Sequence, residues 1–320
     1  MFDILTVTTP FFLLVLAGYV ATRLSMLPVS AISGLNSFVL YFSLPCMLFR
    51  FGAMTPIDQL LNLELALIYL VCGLLVVATA LMVSRARHLD WNNSAFGALV
   101  TAFPNTGFMG VPLLLALMGQ ESTGPVIVTI FIDLVIVSSL CIGISRLTPG
   151  TGQSLSHIAR NVAKRVASNP MPWAICAGAL ASAFDLAPPP VIDATIDLMA
   201  NSASPVALFT IGAVLARSVQ LDKSGEHSHS PIPVTTLAAM KLLLHPALLF
   251  AALHIGNWLG AAFDRHTMTV VILVAALPSA SNVAILAERF AADSAQIARI
   301  IMVSTAIAFL SFPATFALLR

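Results

Sequence analysis

The sequence predicts an all-α integral membrane protein. Ten transmembrane helices are expected, arranged as two five-helix repeats of inverted topology, with helices four and nine broken where they cross. Three observations predict this. Of 320 residues, 58% are hydrophobic and only 9% charged, where a soluble chain carries about 25% charged residues; so few charges cannot solvate a globular surface. The mean hydropathy of +0.95 reflects repeated apolar runs of the length that crosses a bilayer, about 20 residues. Finally, both halves of the chain carry proline-interrupted runs in the same order.

Taken in order, the apolar runs place spans at 4–22, 31–51, 63–84, 95–119, 124–145, 169–187, 191–217, 234–259, 267–288 and 295–319. The first is read as a retained span and not as a cleaved signal, because Arg23 follows it and no basic segment precedes it. Two longer polar stretches remain, 146–168 with Arg146, Arg160, Lys164 and Arg165, and 218–233 with Asp222, Lys223, Glu226, His227 and His229. Both are too short for a folded domain. The expected organisation is a first repeat over 1–145, a cytoplasmic linker over 146–168 and a second repeat over 169–320.

Lysine and arginine set the orientation. With ten spans, Arg50, Arg265 and Arg320 fall on one side, Lys241 lies within a span, and the other eleven fall on the opposite side. The positive-inside rule then places both termini outside the cytoplasm and the 146–168 loop within it, in a multi-pass plasma or inner membrane protein. A net charge of +1 gives no reason to expect a nucleic-acid partner. Cys46, Cys72, Cys141 and Cys176 all lie in apolar runs, where thiols pack as small hydrophobes and imply no disulfide framework.

Proline marks the repeat. The second span carries Ser43-Leu44-Pro45 and the seventh Ala203-Ser204-Pro205, 160 positions later. The fourth carries Ala102-Phe103-Pro104-Asn105 and the ninth Ala276-Leu277-Pro278-Ser279, 174 positions later. Five helices per half is an odd number, so the second half enters the membrane from the opposite side, an architecture that recurs in secondary transporters.

The run from Phe103 to Pro112 places two prolines, two glycines and Asn105 inside a span. Proline removes a donor and clashes with the preceding turn, and glycine lowers helix preference by about 1 kcal/mol. The backbone groups so freed cannot face lipid and must meet protein or line a cavity. One such interruption is an ordinary kink. A second at Leu277–Asn282, in the corresponding place of the other half, points to a transport site. Two half-helix N-termini, each carrying about half a positive charge, suit a carboxylate without an arginine. The candidate substrate-binding residues are Pro104, Asn105, Thr106, Gly107, Pro278, Ser279, Ser281 and Asn282.

Charged groups within spans are costly and mark function or buried pairs. Asp133 and Lys241 are the clearest, either as an ion pair or with Asp133 exchanging a proton during transport. His245, one turn after Lys241, reads as a polar packing group that shares this list of ion-coupling candidates. No metal is expected: one histidine makes no site, and His227 and His229 lie in a polar loop without a second ligand cluster. No cofactor is expected either.

These motifs taken together resemble the auxin efflux carrier, or PIN-like, family. The residues that carry the resemblance are Pro104-Asn105-Thr106-Gly107-Phe108-Met109-Gly110-Val111-Pro112, Pro278-Ser279-Ala280-Ser281-Asn282, Asn169-Pro170, and Pro205 with Ala207-Leu208 and Ile211-Gly212. It extends over essentially the whole chain. The resemblance implies a scaffold of helices 1, 2, 6 and 7, a transport bundle of helices 3–5 and 8–10, and a substrate at the crossover of helices four and nine. It also implies a small organic anion as substrate, such as malonate or malate, and a homodimer through the scaffold helices. The long hydrophilic central loop of the plant members is missing, which points away from auxin.

The reading is therefore a secondary carrier, driven by an ion gradient, of protons or sodium, or by the substrate gradient itself, because no nucleotide-binding loop occurs. An anion channel or membrane sensor on the same scaffold is the alternative. An intramembrane enzyme is disfavoured: Asp133 is the one well-buried carboxylate expected, with no Gly-x-Ser-x-Gly elbow and no His-Glu-x-x-His helix.

Overall fold

A computed structural model describes residues 2–54, 62–147, 160, 170–223 and 232–319. Most of the 146–168 linker, and Glu226, His227 and His229 of the second polar loop, lie outside the described residues. The described residues form helices, which we label α1 (Phe2–Arg23), α2 (Ala31–Met54), α3 (Leu63–Ala86), α4a (Trp91–Ala102), α4b (Thr106–Met118) and α5 (Gln120–Ile144). They continue with α6 (Pro170–Ala183), α7 (Pro190–Lys223), α8 (Val234–Trp258), α9a (Arg265–Ala276), α9b (Asn282–Arg289) and α10 (Ser294–Leu319). Six of these are long and apolar enough to cross a membrane, namely α2, α3, α5, α7, α8 and α10. The protein is thus an all-helical, multi-pass integral membrane protein. Among the described residues the single β-type pairing is an isolated antiparallel bridge between Pro104 and Ser279.

Helix boundaries differ from the expected spans where polar residues or prolines intervene. α4a begins at Trp91, not at 95, because the Asp90 carboxylate accepts from the Asn92 and Asn93 amides and so starts the helix in a polar turn. α6 stops at Ala183, short of 187, and Asp185 takes a left-handed φ of 51° just before Pro188 and Pro189. α7 then starts on Pro190, a residue well suited to a first helical position.

Four turns widen from α to π geometry, at Val39–Ser43, Thr106–Gly110, Ile132–Val137 and Met240–Leu244. Three of them end two residues before a proline: Pro45, Pro112 and Pro246. The cause is local, since proline offers no N–H and its ring pushes away the carbonyl one turn earlier. The turn in α5 has no proline after it, and it carries Asp133.

Glycine sets two close helix pairs. A Cβ on Gly18 of α1 would lie 1.8 Å from the Phe209 carbonyl oxygen of α7, and one on Gly212 would lie 1.8 Å from the Val15 oxygen. Gly178 of α6 and Gly52 of α2 meet the partner backbone in the same way, at 2.1 Å from the Phe49 oxygen and 2.5 Å from the Ile175 oxygen. Without side chains at these points the backbones touch, as small residues permit between membrane helices. Both Gly18–Gly178 and Gly52–Gly212 are separated by 160 positions, the spacing of Pro45 and Pro205.

The remaining helices enclose α4a and α9a. Every residue from Ser94 to Ala102 and from Met268 to Ala276 is buried. Asp264 caps α9a through the Thr267 amide at 2.8 Å and hydroxyl at 2.7 Å, as Asp90 caps α4a. Both caps and both helix ends are offset by 174 positions, like Pro104 and Pro278.

Candidate functional site

Proline placement sets where α4 and α9 break. A residue preceding proline is pushed out of helical geometry. Phe103, before Pro104, is extended at φ −91° and ψ 106°, and Leu277, before Pro278, at φ −63° and ψ 153°. The two extended stretches lie side by side: the Asn105 amide donates to the Pro278 carbonyl at 2.8 Å and the Ala280 amide to the Phe103 carbonyl at 2.9 Å. The Ser279 amide donates to Ser304 Oγ of α10 at 3.2 Å. Backbone groups freed by the breaks are in this way satisfied by protein, as the interior of a membrane protein requires.

Three side-chain oxygens around the breaks are buried and have no hydrogen-bond partner among the described residues: Thr106 Oγ1, Ser279 Oγ and Asn282 Oδ1. A crevice of about 390 Å³, counting its open mouth, runs against Thr106 and Asn282. Of the expected site residues, Pro104, Asn105, Thr106, Gly107 and Asn282 line it; Pro278, Ser279 and Ser281 lie in the second break without contributing to its wall. The opposing wall comes from Leu44 and Leu48 of α2, Ile130 and Leu134 of α5, and Met171 of α6. Sequence reasoning missed these wall residues, because an apolar residue on an apolar helix carries no mark of the face it presents.

Beside the breaks sits a second buried polar group. Asp133 Oδ2 accepts from the Tyr69 hydroxyl of α3 at 2.7 Å, while Oδ1 has no partner among the described residues. Lys241 of α8 donates to the Ala275 carbonyl in the last turn of α9a at 2.7 Å, and its Nζ lies 3.3 Å from His245 Nδ1. All four side chains are 0–1% exposed. The direct Asp133–Lys241 ion pair weighed from sequence is not formed. Among the described residues the ion pairs are Arg50–Asp197 and Arg217–Glu288. Each group has another partner, the Tyr69 hydroxyl for Asp133 and a helix-end carbonyl for Lys241. Tyr69 belongs with this cluster and was not singled out, since one tyrosine in an apolar span is an unremarkable packing residue.

A family model described as membrane transport protein matches residues 3–315. The chain belongs to that family. Its members include auxin efflux carriers, in keeping with the motif resemblance, and three relatives illustrate its range. The chain is 28% identical over 309 residues to a Rhizobium meliloti protein named "Putative malonate transporter", covering 95% of this chain and 92% of that one. It is 25% identical to an uncharacterized transporter of Methanothermobacter thermautotrophicus, covering 94% and 93% of the two chains. It is 23% identical to auxin efflux carrier component 8 of Arabidopsis thaliana, covering 87% and 86%. Membership makes the protein a membrane transporter with a small-molecule substrate. No group of three or more His, Cys, Asp or Glu that could hold a metal occurs among the described residues.

Proposed function

We propose that the protein is a secondary active transporter of a small organic anion, a mono- or dicarboxylate such as malonate or malate. Its ten helices are read as two inverted five-helix repeats. Helices α1, α2, α6 and α7 form a scaffold, and α3–α5 with α8–α10 form a transport bundle that moves against it in alternating access. The observation that carries this reading is the pairing of the two breaks beside a crevice, with the unpartnered Thr106 hydroxyl and the side chains of Asn105 and Asn282 on its wall. Half-helix N-termini at α4b and α9b supply partial positive charge there, enough to favour a carboxylate. The 160-position spacing of the glycine contacts and the 174-position spacing of the caps and breaks support the repeat.

Coupling is assigned to Asp133, Lys241 and His245, with Tyr69 as the hydrogen-bond donor that holds the carboxylate. The cluster reaches the breaks through the Ala275 carbonyl, so a change in charge at Lys241 is felt at the end of α9a. Uptake of labelled malonate and malate into proteoliposomes, with proton and sodium gradients imposed separately, tests the reading. Accumulation above the equilibrium level under one gradient is expected. Flux that only dissipates the substrate gradient would make the protein a channel.

A further inference from the structure

Building on the carboxylate-transport reading, we propose that the crevice takes its substrate as a monoanion carrying a compact apolar body, so that a dicarboxylate is accepted only with one carboxyl group neutralised. Polarity is distributed unevenly around the cavity. Every polar side chain in its wall, Asn105, Thr106 and Asn282, comes from the two breaks. The walls contributed by α2, α5 and α6 are Leu44, Leu48, Ile130, Leu134 and Met171. Among the described residues no lysine, arginine or histidine lines it.

One carboxylate is served by this arrangement. Thr106 is 1% exposed, lines the crevice and holds a hydroxyl without a partner among the described residues, and Asn105 and Asn282 line the crevice with it. A hydroxyl can rotate to donate to an anion, an asparagine amide presents two donors, and the half-helix ends add positive potential. A second carboxylate turned toward the opposing wall would lie against leucine, isoleucine and methionine. An ionised group in apolar surroundings without a partner is strongly disfavoured and sheds its charge instead. The Lys241 ammonium cannot serve, since it stands outside the crevice wall and is bound to the Ala275 carbonyl. An aliphatic body, by contrast, gains from contact with the same wall.

Binding to the purified, detergent-solubilised protein decides the point, with malonate, its monomethyl ester and isobutyrate as ligands. The ester keeps the shape of malonate and removes one charge. At neutral pH the ester and isobutyrate should bind at least about tenfold more tightly than malonate, a factor worth about 1.4 kcal/mol. Lowering the pH within the range where isobutyrate stays ionised should raise malonate affinity relative to isobutyrate, the ratio cancelling any titration of the protein itself. Malonate binding as tightly as its ester at neutral pH would overturn the inference and leave the carboxylate carrier standing. If none of the three ligands bound to folded protein, the carboxylate reading would fall and the inference with it. As a second measurement, Met171→Lys places a cation of similar length in the apolar wall and should shift preference toward malonate, with Met171→Leu as the control.

Discussion

At the scale of single residues the polar side chains of the breaks carry the sharpest predictions. Asn105→Asp would set a fixed negative charge against the carboxylate of the proposed substrate. Two like charges about 4 Å apart repel by about 4 kcal/mol at an effective dielectric constant of about 20, roughly a thousandfold in affinity. Equilibrium binding on inserted protein should register that loss, whereas Asn105→Ala, which leaves the backbone amides in place, should cost less. Asp133→Asn keeps an acceptor for Tyr69 but removes the charge. Proton-driven accumulation should disappear while counterflow exchange persists, and unaltered accumulation would reduce Asp133 to a structural role. Because Lys241 is held by the Ala275 carbonyl and not by Asp133, adding Lys241→Met to that variant should not restore transport. Legibility at this scale divided by chemistry. Asn105, Asp133 and Lys241 stand out because polar groups are costly in lipid, while Leu48 and Met171 are indistinguishable in the sequence from residues that face lipid.

Elements are where prolines and glycines act. The breaks of α4 and α9 were legible from Pro104 and Pro278, since the constraint on the preceding residue is local. The wide turn of α5 was not, having no proline to announce it. Nor was the close packing of α1 on α7, because glycine in an apolar helix is common and its use depends on what lies opposite. Gly212→Ala must push apart backbones that already touch, its Cβ being placed 1.8 Å from the Val15 oxygen. Overpacking of this kind costs about 1–3 kcal/mol or more, and the melting temperature in detergent should fall by several degrees. Gly34→Ala in α2 meets nothing within 4 Å and removes a flexible residue from a helix, so the same melt should show no loss or a gain of about 0.5–1 kcal/mol. Equal losses at the two sites would refute the contact argument.

For the whole molecule the charge bias sets the prediction. Arg23, Arg85, Arg87 and Arg146 fall on the side assigned to the cytoplasm and Arg265 on the opposite side, so the loop after α1 should face inward and the loop between α8 and α9a outward. In a background without the four native cysteines, all of which are free thiols, Ala262→Cys should react with an impermeant maleimide on intact cells. Met26→Cys should react only after permeabilisation. The reverse pattern would invert the protein in the membrane and exchange the two faces of the proposed transport cycle.

The sequence by itself determined that the chain is a helical membrane protein, where two of its helices must break, and which polar residues stand at the breaks. Each of these follows from a cost paid locally, by charge in hydrocarbon or by proline in a helix, and a local cost is visible in a local stretch of chain. Only the tertiary structure decided what those stretches meet: the two breaks bonded to each other through Asn105 and Ala280, Tyr69 on Asp133, the Ala275 carbonyl on Lys241, and an apolar wall from three other helices. Such partners are chosen by packing between segments more than a hundred residues apart in some cases, as Asn105 and Pro278 are, and side chains of equal hydrophobicity give no sign beforehand of which will face a crevice and which the lipid.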